Sequence, residues 1–191
     1  MSIEEYHGFH GTNKSNALKI LGNQGPKTPP KYLNSKREPG NFGYGFYVFL
    51  NDARLAFKFA RKFNDAKNVK LCSIFCEADE NTVLDLRDEE LRQQFLAFTR
   101  SNQQSIINNL NNFGNKKNNL QILTTGIAIE LFISFLKQRN HEVSVVIGES
   151  YTKEEKNNGI LLTVPNGTEM SIRELSVIKK IEEYDYEKEG L

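Results

Sequence analysis

Three short stretches of this chain carry residue types able to act together on a flat, polar ligand. Gly8-Phe9-His10-Gly11-Thr12 sets an imidazole beside a glycine, and a backbone without a side chain can approach a ligand closely. Gly43-Tyr44-Gly45-Phe46-Tyr47-Val48-Phe49 sets aromatic faces among glycines, where stacking on a planar ring becomes feasible. Thr168-Glu169-Met170-Ser171-Ile172-Arg173 opens with a carboxylate, the group that best stabilises positive charge developing on a reacting carbon. Each has a plainer explanation when taken alone. A His beside a Gly often ends a strand, Gly alternating with aromatics often makes a turn and core, and a Glu beside a hairpin is usually solvated.

The elements that must position these groups follow from periodicity. Residues 6–11 read as a short aromatic strand, and Thr12 or Asn13 caps a helix with Ala17, Leu18 and Leu21 as its apolar stripe. Residues 22–41 hold Pro26, Pro29, Pro30 and Pro39 with Lys27, Lys31, Lys36 and Arg37. At about 20 residues this is a long basic loop of the kind that often forms a lid. Residues 46–49 favour a strand, and Asn51 or Asp52 caps a helix whose buried stripe is Ala53, Ala56, Phe57 and Ala60. Arg54, Lys58, Arg61 and Lys62 fall largely off that stripe, as a solvated basic face. Strands are expected over 69–75, with Val69, Leu71, Ser73 and Phe75 on one face, and over 82–86. Residues 89–100 form a helix with Leu91, Phe95 and Phe98 inward. Residues 103–121, rich in Asn, Gln and Lys, read as a mobile loop over a sheet edge or a helix ending near Asn112.

A helix over 126–139 buries Ala128, Leu131, Phe132, Phe135 and Leu136, and a strand over 143–147 leads into a charged loop at 149–158. Pro165-Asn166-Gly167 predicts a hairpin joining 160–164 to 170–172, and 177–186 mixes strand-like and charged residues. Such irregular alternation implies one α+β domain over 1–191 with a mixed, mostly antiparallel sheet and flanking helices.

The chain has 191 residues, 38% of them hydrophobic and 26% charged, which is ample for a core. Lys+Arg 25 against Asp+Glu 24 gives a net charge of +1, so nothing global draws it to a polyanion, while a local basic surface stays open. No apolar run approaches the roughly 20 residues of a membrane span, and the start does not read as a signal peptide. No membrane association is expected, and the location is cytoplasmic, or the cytosol of a cell into which the protein is delivered. Cys72 and Cys76 lack the neighbours for a zinc site and read as packed thiols in a reducing compartment. His141 reads as a surface residue. Asp85 and Asp88 beside Arg87 read as an acidic pair or as solvated strand-end groups.

In this order and context the three motifs resemble the ADP-ribosyltransferase superfamily, and more narrowly its diphtheria-toxin and poly(ADP-ribose)-polymerase branch. The signature of that branch is a His, a Tyr and a Glu on three separate strands. The resemblance covers residues 6–181, although 88–158 matches only by element order. It implies a split β-sheet core and NAD as a substrate, with no metal. By resemblance His10 bonds the adenosine ribose, the Gly11 backbone clamps the nicotinamide amide, and Thr12 stands beside them. Tyr47 stacks on the nicotinamide ring, and Glu169 bonds the neighbouring ribose and positions the acceptor. Lys36 and Arg37, with Lys27 and Lys31, are the loop cations available to the pyrophosphate. His7 competes with His10, and Glu174 with Glu169. Position 167 is Gly, so the Glu-x-Glu pair of arginine-modifying toxins is absent.

The implied activity is mono-ADP-ribosyl transfer to a protein or nucleic acid. The small format and Asn/Lys-rich composition suggest a microbial toxin, effector or phage-defence protein, with an antitoxin or immunity partner. The alternatives are an RNA 2′-phosphotransferase, a silent NAD- or ADP-ribose-binding module, and an α+β domain with chance motifs.

Overall fold

The computed structural model describes residues 2–22, 24–33, 36–113, 120–151 and 165–186. Its longest ladder joins β1 (Ile3–Asn13) to β3 (Val69–Asp79), antiparallel from Ile3↔Asp79 to Asn13↔Val69. On its other side β1 meets β2 (Phe46–Leu50) only at Gly8↔Leu50 and Phe9↔Phe49. β2 continues instead along β6 (Gly167–Ile172), which pairs with β5 (Val145–Ser150). β4 (Val83–Asp85) runs parallel to β5, and β7 (Ile178–Tyr184) closes the far edge against β3. The order is β4-β5-β6-β2-β1-β3-β7, a mixed and mostly antiparallel sheet.

Among the described residues five α-helices flank it: α1 (Lys14–Leu21), α2 (Ala53–Arg61), α3 (Glu89–Ser101), α4 (Gln103–Asn112) and α5 (Leu120–Lys137). Val48, Ile74, Met170, Ile172 and Val145 fill one face of the sheet with Ala17 of α1. On the other face α3, α4 and α5 cover Val146 and Phe42, while α2 covers Phe9, Phe49 and Leu71. The α+β class and the mixed sheet therefore match the sequence reading.

Side chains set the helix starts. Asn13 accepts from the Asn16 N–H, Asp52 from Leu55 and Asp88 from Leu91, each cap worth about 1 kcal/mol. Asn51 is not the cap of α2; it turns the chain at φ 53°, a left-handed conformation that Asn tolerates.

Other expectations shift because both faces of the sheet are covered. Cys72, Ile74 and Cys76 are buried as well as Leu71 and Ser73, while Phe75 lies exposed. Leu18 is exposed on α1, and Leu55 joins the buried set of α2 while Phe57 is only half-buried. Of the two alternatives for 103–121, residues 103–112 take the helical one, forming α4 with Ile106 buried and ending at Asn112. β5 extends to Ser150, so Glu149 lies in a strand. The second arm of the expected hairpin, 170–172, pairs instead with β2 on one edge and β5 on the other, and Gly167 of the expected turn already lies in β6. Its first arm, 160–164, most of the charged loop and residues 114–119 lie outside the described residues.

α5 is long and apolar enough by length and composition to cross a membrane, yet Glu130 sits buried at its middle. That carboxylate pairs with Arg173, just past β6, and the Tyr44 N–H donates to its Oε1 at 2.7 Å. Arg173 in turn donates to the Tyr44 carbonyl at 2.9 Å, and the Tyr44 hydroxyl donates to the Arg37 carbonyl at 2.6 Å. The basic loop is thereby seated: Pro29 and Pro39 are buried, and a Cβ at Gly126 of α5 would strike the Gly40 carbonyl. Removing one partner of a buried ion pair strands the other in low dielectric. Arg173→Met is expected to cost about 3–5 kcal/mol in urea unfolding. The Glu130→Leu/Arg173→Met double variant should recover much of that loss.

Candidate functional site

β1 and β2 part company just after Phe9. The His7 carbonyl accepts from the Asn51 N–H at 3.0 Å, so alternation turns the peptide groups of His7, Phe9 and Gly11 toward β2. Their ladder ends at Phe9↔Phe49, one alternation short of Gly11. Gly11 lies hard against α2, where any Cβ would collide with the Ala56 carbonyl and the Ala60 side chain. Only glycine brings the strand this close to the helix.

Side-chain direction follows the pleat. Phe9 and Phe49 share the α2 face, and so do Tyr47, Ser171 and Glu169, because Tyr47 pairs with Ser171 and Phe49 with Glu169. His10 turns to the opposite face, its ring 4.6 Å from that of Phe46. Its Nδ1 lies 2.7 Å from the Tyr47 carbonyl, spanning the gap where the ladder is missing. A carbonyl only accepts, so Nδ1 carries the proton and Nε2 keeps a lone pair. Burial lowers the pKa of His10, which keeps it neutral.

The Tyr47 hydroxyl donates to the Gly43 carbonyl at 2.6 Å and accepts from the Phe42 N–H at 2.9 Å. Gly40 presses on the phenol so closely that a side chain there would strike it. Burial first, and then the charges of Glu169 and Glu130, push its pKa up. Glu169 stands opposite Phe49 on β2 and Gly148 on β5, half-buried. Burial raises its pKa, with Ser150 and the charge of Lys62 acting the other way. The buried hydroxyls of Ser150 and Ser171 flank it, Ser150 acting on the Glu169 carboxyl and Ser171 on the Tyr47 hydroxyl.

Tyr47, Glu169 and the Gly11 backbone thus gather around the strand split. The His10 ring does not join their face; it touches the Tyr47 peptide rather than its phenol. Thr12 is half-buried at the end of β1, opposite Lys70. Lys36 and Arg37 are exposed on the basic loop. Of the competitors, His7 shares the Glu169 face but bonds Ser73 of β3 at 2.7 Å and stacks on Phe75. Glu174 is exposed beyond β6 and pairs with Lys31 at 3.4 Å.

The sequence reading missed Ser150, Ser171 and the Glu130–Arg173 pair, for which no local pattern exists. Cys72 and Cys76 are buried free thiols, pushed up by burial to about 11 and about 12. No cluster of three or more His, Cys, Asp and Glu suited to a metal occurs among the described residues. No protein-family model, curated protein or solved structure matches this chain.

A raised carboxyl pKa means that the folded state holds the proton more tightly than the unfolded chain does. That contribution to stability is fully present below the ordinary Glu value and is lost as pH rises through the folded one. Glu169→Gln, uncharged throughout, is therefore expected to melt above wild type at pH 8, with the two converging near about pH 4. Thermal melts across that range check it.

Proposed function

We propose that this chain is an NAD-dependent mono-ADP-ribosyltransferase with a split sheet of the type found in that superfamily. It cleaves the nicotinamide–ribose bond and transfers ADP-ribose to a protein or nucleic acid. The observation that carries the reading is the meeting of the Gly11 peptide edge, the Tyr47 ring and the Glu169 carboxylate where β1 and β2 separate. A ladder of only two pairs, between strands that continue in other company, supports the split sheet.

In the proposed reaction a lone pair of the acceptor forms a bond to the ribose C1′. The C1′–N bond breaks, its electron pair neutralises the pyridinium ring, and nicotinamide leaves as a neutral molecule. The proton displaced from the acceptor goes to Glu169 or to water. Positive charge builds on the sugar along the way, as in glycoside cleavage, and the ionised Glu169 stabilises it.

The Gly11 N–H and C=O suit the donor and acceptor of a carboxamide, and the Tyr47 ring offers a wall for the planar base. His10 fixes the width of the split through the Tyr47 carbonyl. Lys36 and Arg37 stand on the loop that Tyr44 pins, as cations for the pyrophosphate. A toxin, effector or phage-defence role in a cytosol, opposed by an antitoxin or immunity protein, fits an activity of this kind.

The test is nicotinamide release from labelled NAD, with and without cell extract. Glu169→Ala is expected to lose about 100-fold or more, and label retained by wild type should be sensitive to protease or nuclease. Release should also fall with acidity at a pH above the ordinary Glu range, because the carboxylate must be ionised. NAD binding without release would convert the reading to a silent module. Full activity in Glu169→Ala would remove that residue from the chemistry.

A further inference from the structure

A cleft of about 960 Å³ opens between the start of α1 and the end of α2, lined by Lys14, Arg61, Lys62, Phe63 and Asn68 among others. Phe63 is 73% exposed there and Phe59 40%, their rings 5.6 Å apart and edge-on at 64°. Two large aromatics left in water represent apolar burial not yet made. The cleft's charge is one-sided, because Lys14, Arg61 and Lys62 face a lone carboxylate, Asp65. Neither Lys14 nor Arg61 has a carboxylate partner among the described residues. The whole chain is nearly neutral, so this is a matter of placement rather than composition.

Side-chain contacts lead from the cleft's Phe63, through Phe59, toward the site above. Phe59 touches Phe49 at 5.7 Å between ring centroids, and Phe49 stands directly opposite Glu169 on the β2–β6 ladder. Lys62 lines the cleft, and its charge reaches the Glu169 carboxyl.

We propose that this cleft binds single-stranded nucleic acid, with an unpaired base stacked on Phe63 and phosphates held by Lys14, Arg61 and Lys62, and presents the strand to Glu169. Naming that strand as the ADP-ribose acceptor rests on the transferase reading; the binding itself does not. Stacking on aromatic side chains between cations is how sequence-tolerant single-strand sites work, and every base has a face to offer. A duplex keeps its base faces inside the stack. An acidic peptide would satisfy the cations and leave Phe63 in water.

Fluorescence anisotropy with fluorescein-labelled oligo(dT) and oligo(U) of about 12 nucleotides tests it. At least one oligonucleotide should bind, with affinity falling steeply as salt rises. Phe63→Ala should weaken binding about tenfold. Arg61→Glu should weaken it at least as much and flatten the salt dependence. Lys180→Glu, the same charge change on β7, should leave affinity unaltered.

Lack of binding overturns the proposal, and so does binding indifferent to both cleft substitutions. Equal displacement by polyglutamate would assign the cleft to acidic protein instead. If NAD displaces the oligonucleotide and Phe63→Ala raises the KM for NAD, the cleft belongs to the cosubstrate and the proposal falls. Binding with the expected pattern but no nicotinamide release leaves the strand site standing and removes only the acceptor role.

Discussion

An ion pair between Glu130 and Arg173, both almost wholly removed from water, decides where three segments of this chain can meet. Neither charge tolerates the interior alone, so α5, the end of β6 and the turn before β2 must arrive together. The Tyr44 peptide completes the arrangement, with its N–H on Glu130 and its carbonyl on Arg173. Gly43 beside it adopts φ +76° and sits so close to the Glu130 carboxylate that a side chain would strike it. Register does the rest. Tyr47 follows Tyr44 along β2, Glu169 precedes Arg173 along β6, and the two strands are locked as neighbours from Phe46↔Ile172 to Phe49↔Glu169. One buried pair, packed on the turn whose Gly43 carbonyl holds the Tyr47 hydroxyl, thus sets the relative position of the two residues that matter most at the split.

The polar groups at the split work against this economy. Glu169 is half-buried with its carboxyl pKa raised, and the buried Ser150 and Ser171 hydroxyls lie beside it and Tyr47 on the same face. A sheet optimised for stability alone would place apolar residues at these positions, as β6 does on its other face with Met170 and Ile172. Buried polar groups persist where surrounding contacts over-determine the structure. The concentration of this cost on one face, beside the only two pairs that join β1 to β2, separates these residues from ordinary core. His10 illustrates the same economy differently, because its imidazole replaces a missing ladder bond with one to the Tyr47 carbonyl.

Much of this was legible in the sequence because it is local. Asp52 and Asp88 announce α2 and α3 through side chains that reach only three residues ahead. The apolar spacing of α5 and the β-favouring run at Phe46 needed no tertiary knowledge. The failures share one cause, that their determinants lie far along the chain. Whether β3 buries one face or two depends on α1 and α2 covering opposite sides of the sheet. Which way His10 points depends on its place in the pleat, and what it does there on where the β1–β2 ladder stops. Glu130 and Arg173 are 43 positions apart, and neither carries a local mark. The residue types of the candidate site were thus readable, while the grouping of Tyr47 with Glu169 and away from the His10 ring was not.

The two ends of α2 show how to separate structural from functional charge. Lys58 and Arg61 in its last turn face the negative end of the helix dipole, which accounts for cations there without any ligand. Small Ala56 and Ala60 let the helix press on Gly11, which accounts for its inner face. Neither argument reaches Phe63, which lies beyond the helix end, contributes nothing to the core and stands mostly in water. Phe63 meets the Phe59 ring edge-on and otherwise stands exposed beside Arg61, and the base proposed for the cleft would cover it.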